Sequence, residues 1–288
     1  MQLDLFAHSR DVSLRNDLAT ALLTRDAAAG RRGWAALAAE YPDDRLLAPA
    51  AVLLEALERP SPRLTDAAAA ARAVEDAETR IARAAAGVFD AREAARWLVP
   101  VWRSLALAAG ELPYDPTLPA AHAATMWLRA GDLAAVEAAV GGIPSWRRIP
   151  VPLAWMIEAR VAQAGLAAVW PLLAELAWLD PVRFGSLARR LDAPALEQLV
   201  HDFDGGFEAD GDSDLVWFPA WAAIAEPRLA PALREAQASR SHPPEQAARL
   251  VLEMLALERQ GRHAELIADR QRLRALHAGL FERYMRTR

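Results

Sequence analysis

The sequence predicts an all-α protein in which irregular helix-turn-helix units stack into a right-handed α-solenoid. Ala and Leu are abundant while Val, Ile and Tyr are few, which favours helices over strands. Two helical patterns break at a glycine and resume at once, and these glycines, Gly131 and Gly165, lie 34 residues apart. That distance is a common repeat length of stacked helical hairpins. A similar break at Gly261 lies almost three periods further along the chain.

In the N-terminal half, apolar residues at helical spacing predict a series of helices. The first is expected from about Ser9, with Ser9 or Asp11 as its N-cap, and is expected to end before Gly30. The next carries Trp34 and stops before Pro42, since proline disfavours helix in the residue that precedes it. The remaining predictions for this half are helices at 46–57, at 65–86 and from Asp90 with a bend at Pro100, and a loop at 110–119.

The C-terminal half is predicted to continue with helices between short connections. A long helix is expected to begin at Pro243, because proline is tolerated in the first turn of a helix. Trp217 and Trp221 return the chain to a core after an acidic, glycine-containing loop at 202–214. The other helices are predicted at 182–190, at 193–200 and in two stretches that carry Leu266 to Tyr284. For the chain as a whole we expect an N-terminal arm at 1–8 and one helical-repeat domain at 9–288.

The region around the two glycines resembles the tetratricopeptide repeat family. Trp127 and Gly131 stand where that family has its first-helix Trp and its small turn residue, Gly165 repeats the turn, and Ala177 falls on the small position of the second helix. The resemblance implies an α-solenoid that binds protein or peptide partners. The chain departs from the motif at two aromatic positions, which are alanines, and in the segment from Pro144 to Pro152, which interrupts the expected second helix. The family's groove residues are therefore not carried over.

Absent residue types exclude several reactions. The chain has no Cys, which removes thiol nucleophiles, disulfides and thiolate zinc sites. It also has no Lys, so a Walker A loop, a lysine Schiff base and a Ser-Lys pair are ruled out in their usual forms. The use of Arg alone, together with the Ala content, is typical of a GC-rich bacterial genome. The net charge of −5 argues against a surface that clasps nucleic acid over its whole area.

The sequence also predicts a location. Asp4, Arg10 and Asp11 stand near the start instead of the basic leader and apolar run of a secretory signal. No stretch reaches the roughly 18 apolar residues that a membrane span needs. We therefore expect a cytoplasmic protein that makes no membrane contact.

The acidic loop invites a calcium interpretation, which its spacing does not support. Asp210, Asp212 and Asp214 are spaced like the first three ligands of an EF-hand, but Leu215 stands where that loop needs Gly and Trp221 where it needs a bidentate Glu. We predict a solvated connector and no metal site. The loop would attract an Arg-rich partner through its six acidic residues, Asp202, Asp204, Glu208, Asp210, Asp212 and Asp214.

No catalytic grouping is visible in the sequence. His263-Ala-Glu265 is similar to the His-x-Glu of zinc deaminases, but that chemistry needs cysteines. Ser186 follows Gly185 without the second glycine of a nucleophile elbow. We expect no enzymatic activity and no cofactor. The alternative is an enzyme whose site is assembled from residues distant in sequence.

Arginines near the C-terminus form a candidate basic end. Two interpretations are open for them. They form a solvated outer surface of the terminal helices, which solenoids need for solubility, or they contact phosphate or nucleic acid. The hypothesis concerns Arg270, Arg272, Arg274, Arg283 and Arg286. The ten tryptophans, by contrast, lie at helical spacing beside Leu and Ala and are predicted to be core or groove lining.

The most specific motif is Gln2-Leu3-Asp4-Leu5-Phe6, which resembles the pentapeptide that docks bacterial polymerases and repair factors on the DNA sliding clamp. In those peptides the Gln bonds the pocket edge, and the Leu-Phe pair fills an apolar pocket. We favour the alternative that Leu3, Leu5 and Phe6 cover the apolar end of the first hairpin, since exposed Leu and Phe normally pack on their own protein.

The functional expectation is therefore a non-enzymatic adaptor that binds a protein or peptide on a helical surface. The alternative is a replication or repair accessory that the sliding clamp recruits through Gln2, Leu3, Leu5 and Phe6. In that case the basic end would supply a second contact, to DNA.

Overall fold

The computed structural model describes residues 2–60, 63–207, 212–237 and 242–287, and their side chains except those of 2–9, 212, 213 and 263. Within these residues the chain forms helices and no strand, which confirms the predicted all-α class. None of the helices in these stretches has both the length and the apolar character needed to cross a membrane. The chain divides into two compact units, Met1–Ala139 and Val140–Arg288. A continuous helical array can be divided in the same way, so the single domain predicted over 9–288 stays a prediction.

The first unit consists of α1 (Gln2–Leu23), α2 (Ala27–Glu40), α3 (Leu47–Glu58), α4 (Ala67–Asp76), α5 (Ala82–Val88), α6 (Ala91–Ala108) and α7 (Ala123–Ala130). α8 (Leu133–Gly141) contains the boundary. The second unit contains α9 (Pro150–Ala164), α10 (Trp170–Leu179), α11 (Pro181–Ala188), α12 (Pro194–Gly206), α13 (Phe218–Ala225), α14 (Ala230–Leu233), α15 (Pro243–Arg259), α16 (His263–Leu276) and α17 (Ala278–Arg286).

Successive helices pack against each other, as in a helical-repeat protein. In the first unit α1 packs on α2, α2 on α3 and α6 on α7, and in the second α15 packs on α16 and α16 on α17. The finer prediction, a right-handed solenoid of tetratricopeptide-like units, stays a prediction.

Aspartates begin several helices, because a carboxylate oxygen accepts the backbone N–H groups that a first turn leaves unpaired. Asp26 accepts from Ala29 N at 2.8 Å and starts α2. Asp90 accepts from Glu93 N at 2.8 Å and starts α6, where the sequence predicted a helix start. At α1 the prediction was wrong. This helix begins at Gln2, so that Ser9 and Asp11 lie inside it and do not cap it.

The first helix ends before Gly30, as predicted. Gly30 is not part of the break between the two helices. It lies buried inside α2, where a Cβ would come within 2.7 Å of Leu54 Cδ2. The residue is therefore a point of close helix approach, and the end of α1 falls at Leu23. A glycine between two helical patterns can either end a helix or allow a close approach of two helices. At Gly30 the packing against α3 determines the second role.

The turns after the three repeat glycines are of two kinds. Gly131 has φ +72° and ψ 17°, and the N–H groups of Gly131 and Asp132 bond the carbonyls of Leu128 and Trp127. Gly261 has φ +69°, and the N–H groups of Gly261 and Arg262 bond the carbonyls of Glu258 and Leu257 in the same way. Both turns are therefore left-handed helix ends of the Schellman type. Gly165 has φ +79° but ψ 175°, and a short 3₁₀ helix (Leu166–Val169) follows it. Gly165 therefore does not repeat the turn at Gly131, although the sequence predicted that it would.

Two apolar clusters form the core of the first unit. One is built from α1, α2, α3, α5 and the start of α6 and includes Leu18, Leu54 and Trp97. The other joins α4 to the second half of α6 and to α7 and includes Val74 and Trp102. In the second unit the rings of Phe184, Phe203, Phe218 and Trp221 contact one another at centroid distances from 5.1 to 6.1 Å. The core role predicted for tryptophan is confirmed at Trp97, Trp102 and Trp170.

Candidate functional site

The first unit contains a pocket of about 190 Å³, which we call the Arg25 pocket. It lies where the two core clusters meet. Ile81 belongs to the first cluster and Leu57 packs on it, whereas Ala77 and Leu105 belong to the second. Its apolar surface is formed by Leu57, Ala73, Ala77, Ile81, Val101 and Leu105. Arg25, Arg59, Asp76 and Ser104 add polar groups.

Three backbone irregularities converge on this pocket. Arg25 has φ +59°, a left-handed conformation that a residue other than Gly adopts at a cost. Between α4 and α5 the helix passes through a π-helical turn, Ala77–Ile81, both ends of which line the pocket. In α6, Pro100 lies inside the helix and cannot donate the usual backbone hydrogen bond. The Arg25 conformation also ends α1, since Arg25 N bonds Leu22 O and Asp26 N bonds Ala21 O, as in the turn at Gly131. Strained conformations and π-helical turns are frequent at functional sites, which makes this pocket a candidate site.

The Arg25 side chain is held in place by one aromatic residue. Its guanidinium lies over the ring of Trp97, 4.7 Å from the centroid, and its Nη1 donates to Trp97 O at 3.0 Å. Trp97 is itself fixed, because its Nε1 donates to Leu22 O at 2.9 Å. Partial burial lowers the pKa of Arg25. Within the described residues no carboxylate forms an ion pair with Arg25.

The other charged groups near the pocket neutralise one another. Arg59 bonds Glu55 at 2.6 Å and Asp76 at 3.1 Å, and Arg80 bonds Asp76 at 2.6 Å and Glu55 at 2.8 Å. Hydrogen bonds from Arg80 hold the pKa of Asp76 below its ordinary value, and those from Arg59 and Arg80 do the same for Glu55. The ring of two cations and two anions therefore cancels, and Arg25 carries the uncompensated charge of the site.

The pocket offers groups suited to binding. A preorganised guanidinium is a donor that stays charged, and an apolar wall binds hydrocarbon without chemical selectivity. Ser104 shares the pocket with the carboxylate of Asp76, whose oxygens are already bonded by Arg59 and Arg80. The arrangement can hold an anionic group beside an apolar one.

The pentapeptide Gln2–Phe6 lies in the first turns of α1, and its backbone is helical. The residues expected to form an arm at 1–8 are thus placed in this helix from Gln2 onward. The side chains of Gln2, Leu3, Leu5 and Phe6 lie outside the described residues. Whether they pack or dock stays a prediction.

Each arginine of the basic end has an internal partner. Arg270, Arg274 and Arg283 lie over the rings of Tyr284, Phe281 and Trp221 at 5.7, 5.8 and 4.2 Å. The other two, Arg272 and Arg286, pair with Asp269 at 3.2 Å and Glu282 at 3.4 Å. Burial lowers the pKa of Arg283, which is half-buried beside Trp221. A phosphate or nucleic-acid contact at this end stays a prediction.

The acidic segment is shorter as a loop than predicted. Asp202 and Asp204 belong to α12, which continues to Gly206, and Asp212–Trp217 form a 3₁₀ helix. Glu208 and Asp210 lie outside the described residues, and so does the side chain of Asp212. In the part of the chain that the structure describes, no three His, Asp or Glu side chains are grouped as a metal site would require.

Two histidines that the sequence left without a role are helix caps. The Nδ1 atom of His122 accepts from Ala124 N at 3.3 Å at the start of α7, and that of His277 accepts from Leu280 N at 3.2 Å at the start of α17. Burial lowers the pKa of both imidazoles, and Asp214 opposes this at His277. A cap of this kind requires an unprotonated Nδ1.

Comparison of the chain with known protein families, with curated proteins and with solved structures gives no significant match. The site must therefore be interpreted from its own geometry. Sequence reasoning missed the Arg25 pocket, because its groups come from positions between 25 and 105. The one local signal was Pro100 inside an apolar helical pattern.

Proposed function

We propose that this chain is a non-enzymatic interaction protein that binds a protein or peptide partner, and that the Arg25 pocket is its contact point. The observation that carries the proposal is the convergence of three backbone irregularities on an apolar pocket with one uncompensated guanidinium. Partial burial of the Arg25 guanidinium costs free energy, which its contacts with Trp97 offset only in part because neither supplies a negative charge. A ligand that supplies the missing anion would offset this cost.

The proposal is tested by filling the pocket. Ser104→Tyr places a ring in it, whereas Ala95→Tyr adds the same ring to the exposed opposite face of α6, nine residues and thus 180° away. Affinity purification with the full chain should recover a partner with the wild type and with Ala95→Tyr, and lose it with Ser104→Tyr. Both variants should retain the wild-type circular dichroism spectrum. Equal recovery by the two variants would rule out the pocket as the contact.

The pentapeptide supports a second candidate, a replication or repair accessory that docks on the bacterial sliding clamp. An extended clamp ligand would require the first turns of α1 to unwind, and a terminal helix segment frays at low cost. Leu5→Ala with Phe6→Ala should abolish clamp binding without changing the melting temperature. Asp4→Ala alters the variable position of the motif and should bind like the wild type. Loss of stability in the double variant, together with no clamp binding by the wild type, would identify the segment as packing.

A further inference from the structure

We infer that the Arg25 pocket holds the C-terminal residue of a partner polypeptide, with the carboxylate on the Arg25 guanidinium and the apolar side chain in the cavity. This inference rests on the proposed function, since it names the part of the partner that enters the site. It follows from the charge, the size and the geometry of the pocket.

The charge of the site selects an anion. The ring of Arg59, Arg80, Glu55 and Asp76 is internally neutral, and its members already bond each other at distances between 2.6 and 3.1 Å. Arg25 bonds one backbone carbonyl, and within the described residues it has no anionic partner. A single negative charge therefore completes the site, whereas a cation or a neutral group leaves the guanidinium uncompensated.

The geometry suits a carboxylate. A guanidinium presents its N–H donors in a rigid planar fork, which matches two carboxylate oxygens. Stacking on Trp97 fixes the plane of this fork, and the bond from Nη1 to Trp97 O uses one of its donors. The remaining donors are oriented before a ligand arrives, so that little side-chain entropy is lost when it binds.

The size selects one residue. A cavity of about 150 Å³ is enough to hold benzene, so the pocket, at about 190 Å³, accepts a single apolar side chain and not a helix face. The side chain of Asp or Glu would satisfy Arg25 but would leave the surface of Leu57, Ile81 and Leu105 uncovered. A C-terminal apolar residue carries a carboxylate and a hydrocarbon side chain on the same Cα atom, and so fills both parts.

The test uses fluorescein-labelled peptides Gly-Gly-Gly-X, with Ala, Val, Leu or Phe as X, each as a free acid and as an amide. Fluorescence polarisation with the full chain should show that the best acid binds about tenfold or more tightly than its amide, because the acid alone makes charge-assisted hydrogen bonds. In Arg25→Gln the ratio between acid and amide should fall to about one, while Arg25→Lys should give an intermediate ratio because it keeps the charge without the fork. Arg92→Gln removes an exposed arginine of α6 and should keep the wild-type ratio.

The ratio separates recognition from folding, since a variant that merely misfolds weakens acid and amide alike. Equal binding of acid and amide by the wild type would overturn the inference and leave the proposed function standing. The inference also fails if 4-methylpentanoate displaces the peptide as effectively as unlabelled Gly-Gly-Gly-Leu, because the occupant is then a small carboxylic acid. If no peptide binds while Ser104→Tyr still loses the purified partner, the pocket recognises another part of that partner. If Ser104→Tyr, which fills the pocket, still binds both the peptide and the partner, the proposed function itself is rejected.

Discussion

Asparagine in place of Gly131 and of Gly165 should have very different effects on stability. Gly131 is in the left-handed helical region, with φ +72° and ψ 17°, whereas Gly165 combines φ +79° with ψ 175°. Asn tolerates the first conformation, because its short side chain bonds the local backbone. The second is essentially restricted to Gly. A Cβ at either position meets no atom within 4 Å, so the backbone conformation alone sets the cost.

The magnitudes follow from these regions. Gly165→Asn should cost about 2–3 kcal/mol of backbone strain, offset by about 0.4–1 kcal/mol because Asn restricts the unfolded chain more than Gly does. Its net cost is then about 1–2.5 kcal/mol. For Gly131→Asn the two contributions nearly cancel. Gly131→Ala, which lacks the stabilising side chain, should cost about 1–2 kcal/mol before the same offset.

Urea unfolding followed by far-ultraviolet circular dichroism measures these differences. The midpoint should fall clearly for Gly165→Asn and hardly move for Gly131→Asn, with unchanged slopes in both. Similar small losses at both positions would mean that Gly165 also adopts the left-handed helical conformation. The two turns would then be equivalent, as their 34-residue spacing suggests, and the ψ value of 175° at Gly165 would be contradicted.

Two further perturbations follow from buried polar groups. Burial lowers the pKa of His122 below its ordinary value near 6.5. Capping of α7 by His122 should therefore stabilise the protein fully above about pH 6.5, and this stabilisation should be lost as the pH falls through the folded-state pKa. His122→Asn caps without titrating, so it should flatten the change in urea midpoint over this pH range. Glu175 is 2% exposed and accepts from Arg147 Nε at 2.8 Å and from Gln237 N at 2.7 Å. Glu175→Ala should therefore cost about 3–5 kcal/mol, because it leaves a partly buried guanidinium without its partner, and Glu158→Ala, at an exposed arginine pair, should change the urea midpoint far less.

Much of the fold could be predicted because the determinants are local. Asp90 at a helix start and Pro42 at a helix end act through the backbone within one turn, and both boundaries agree with the sequence interpretation. Gly165 was misjudged for a physical reason. A glycine permits a turn, a close approach or an unusual backbone conformation alike, and only its packing and its ψ value separate these roles.

The candidate site was beyond local reasoning. In the sequence Arg25 is one arginine among many. It becomes distinctive in the fold because its guanidinium lies over Trp97, and because the nearby carboxylates of Glu55 and Asp76 pair with Arg59 and Arg80. The π-helical turn at Ala77–Ile81 has no signature of its own in an alanine-rich helix. Contacts between residues more than 70 positions apart set the charge balance of the pocket.

Site-specific photo-crosslinking tests most directly whether the Arg25 pocket is a contact surface. A benzophenone amino acid placed at position 100, an exposed residue at the rim of the pocket, is compared in the full chain with the same group at position 95, on the side of α6 away from the pocket. If the pocket binds a protein partner, irradiation should give one discrete adduct from position 100 and none from position 95, and excess acid peptide should suppress the adduct. An adduct from position 95 alone, or equal adducts from both positions, would contradict a partner site in this pocket.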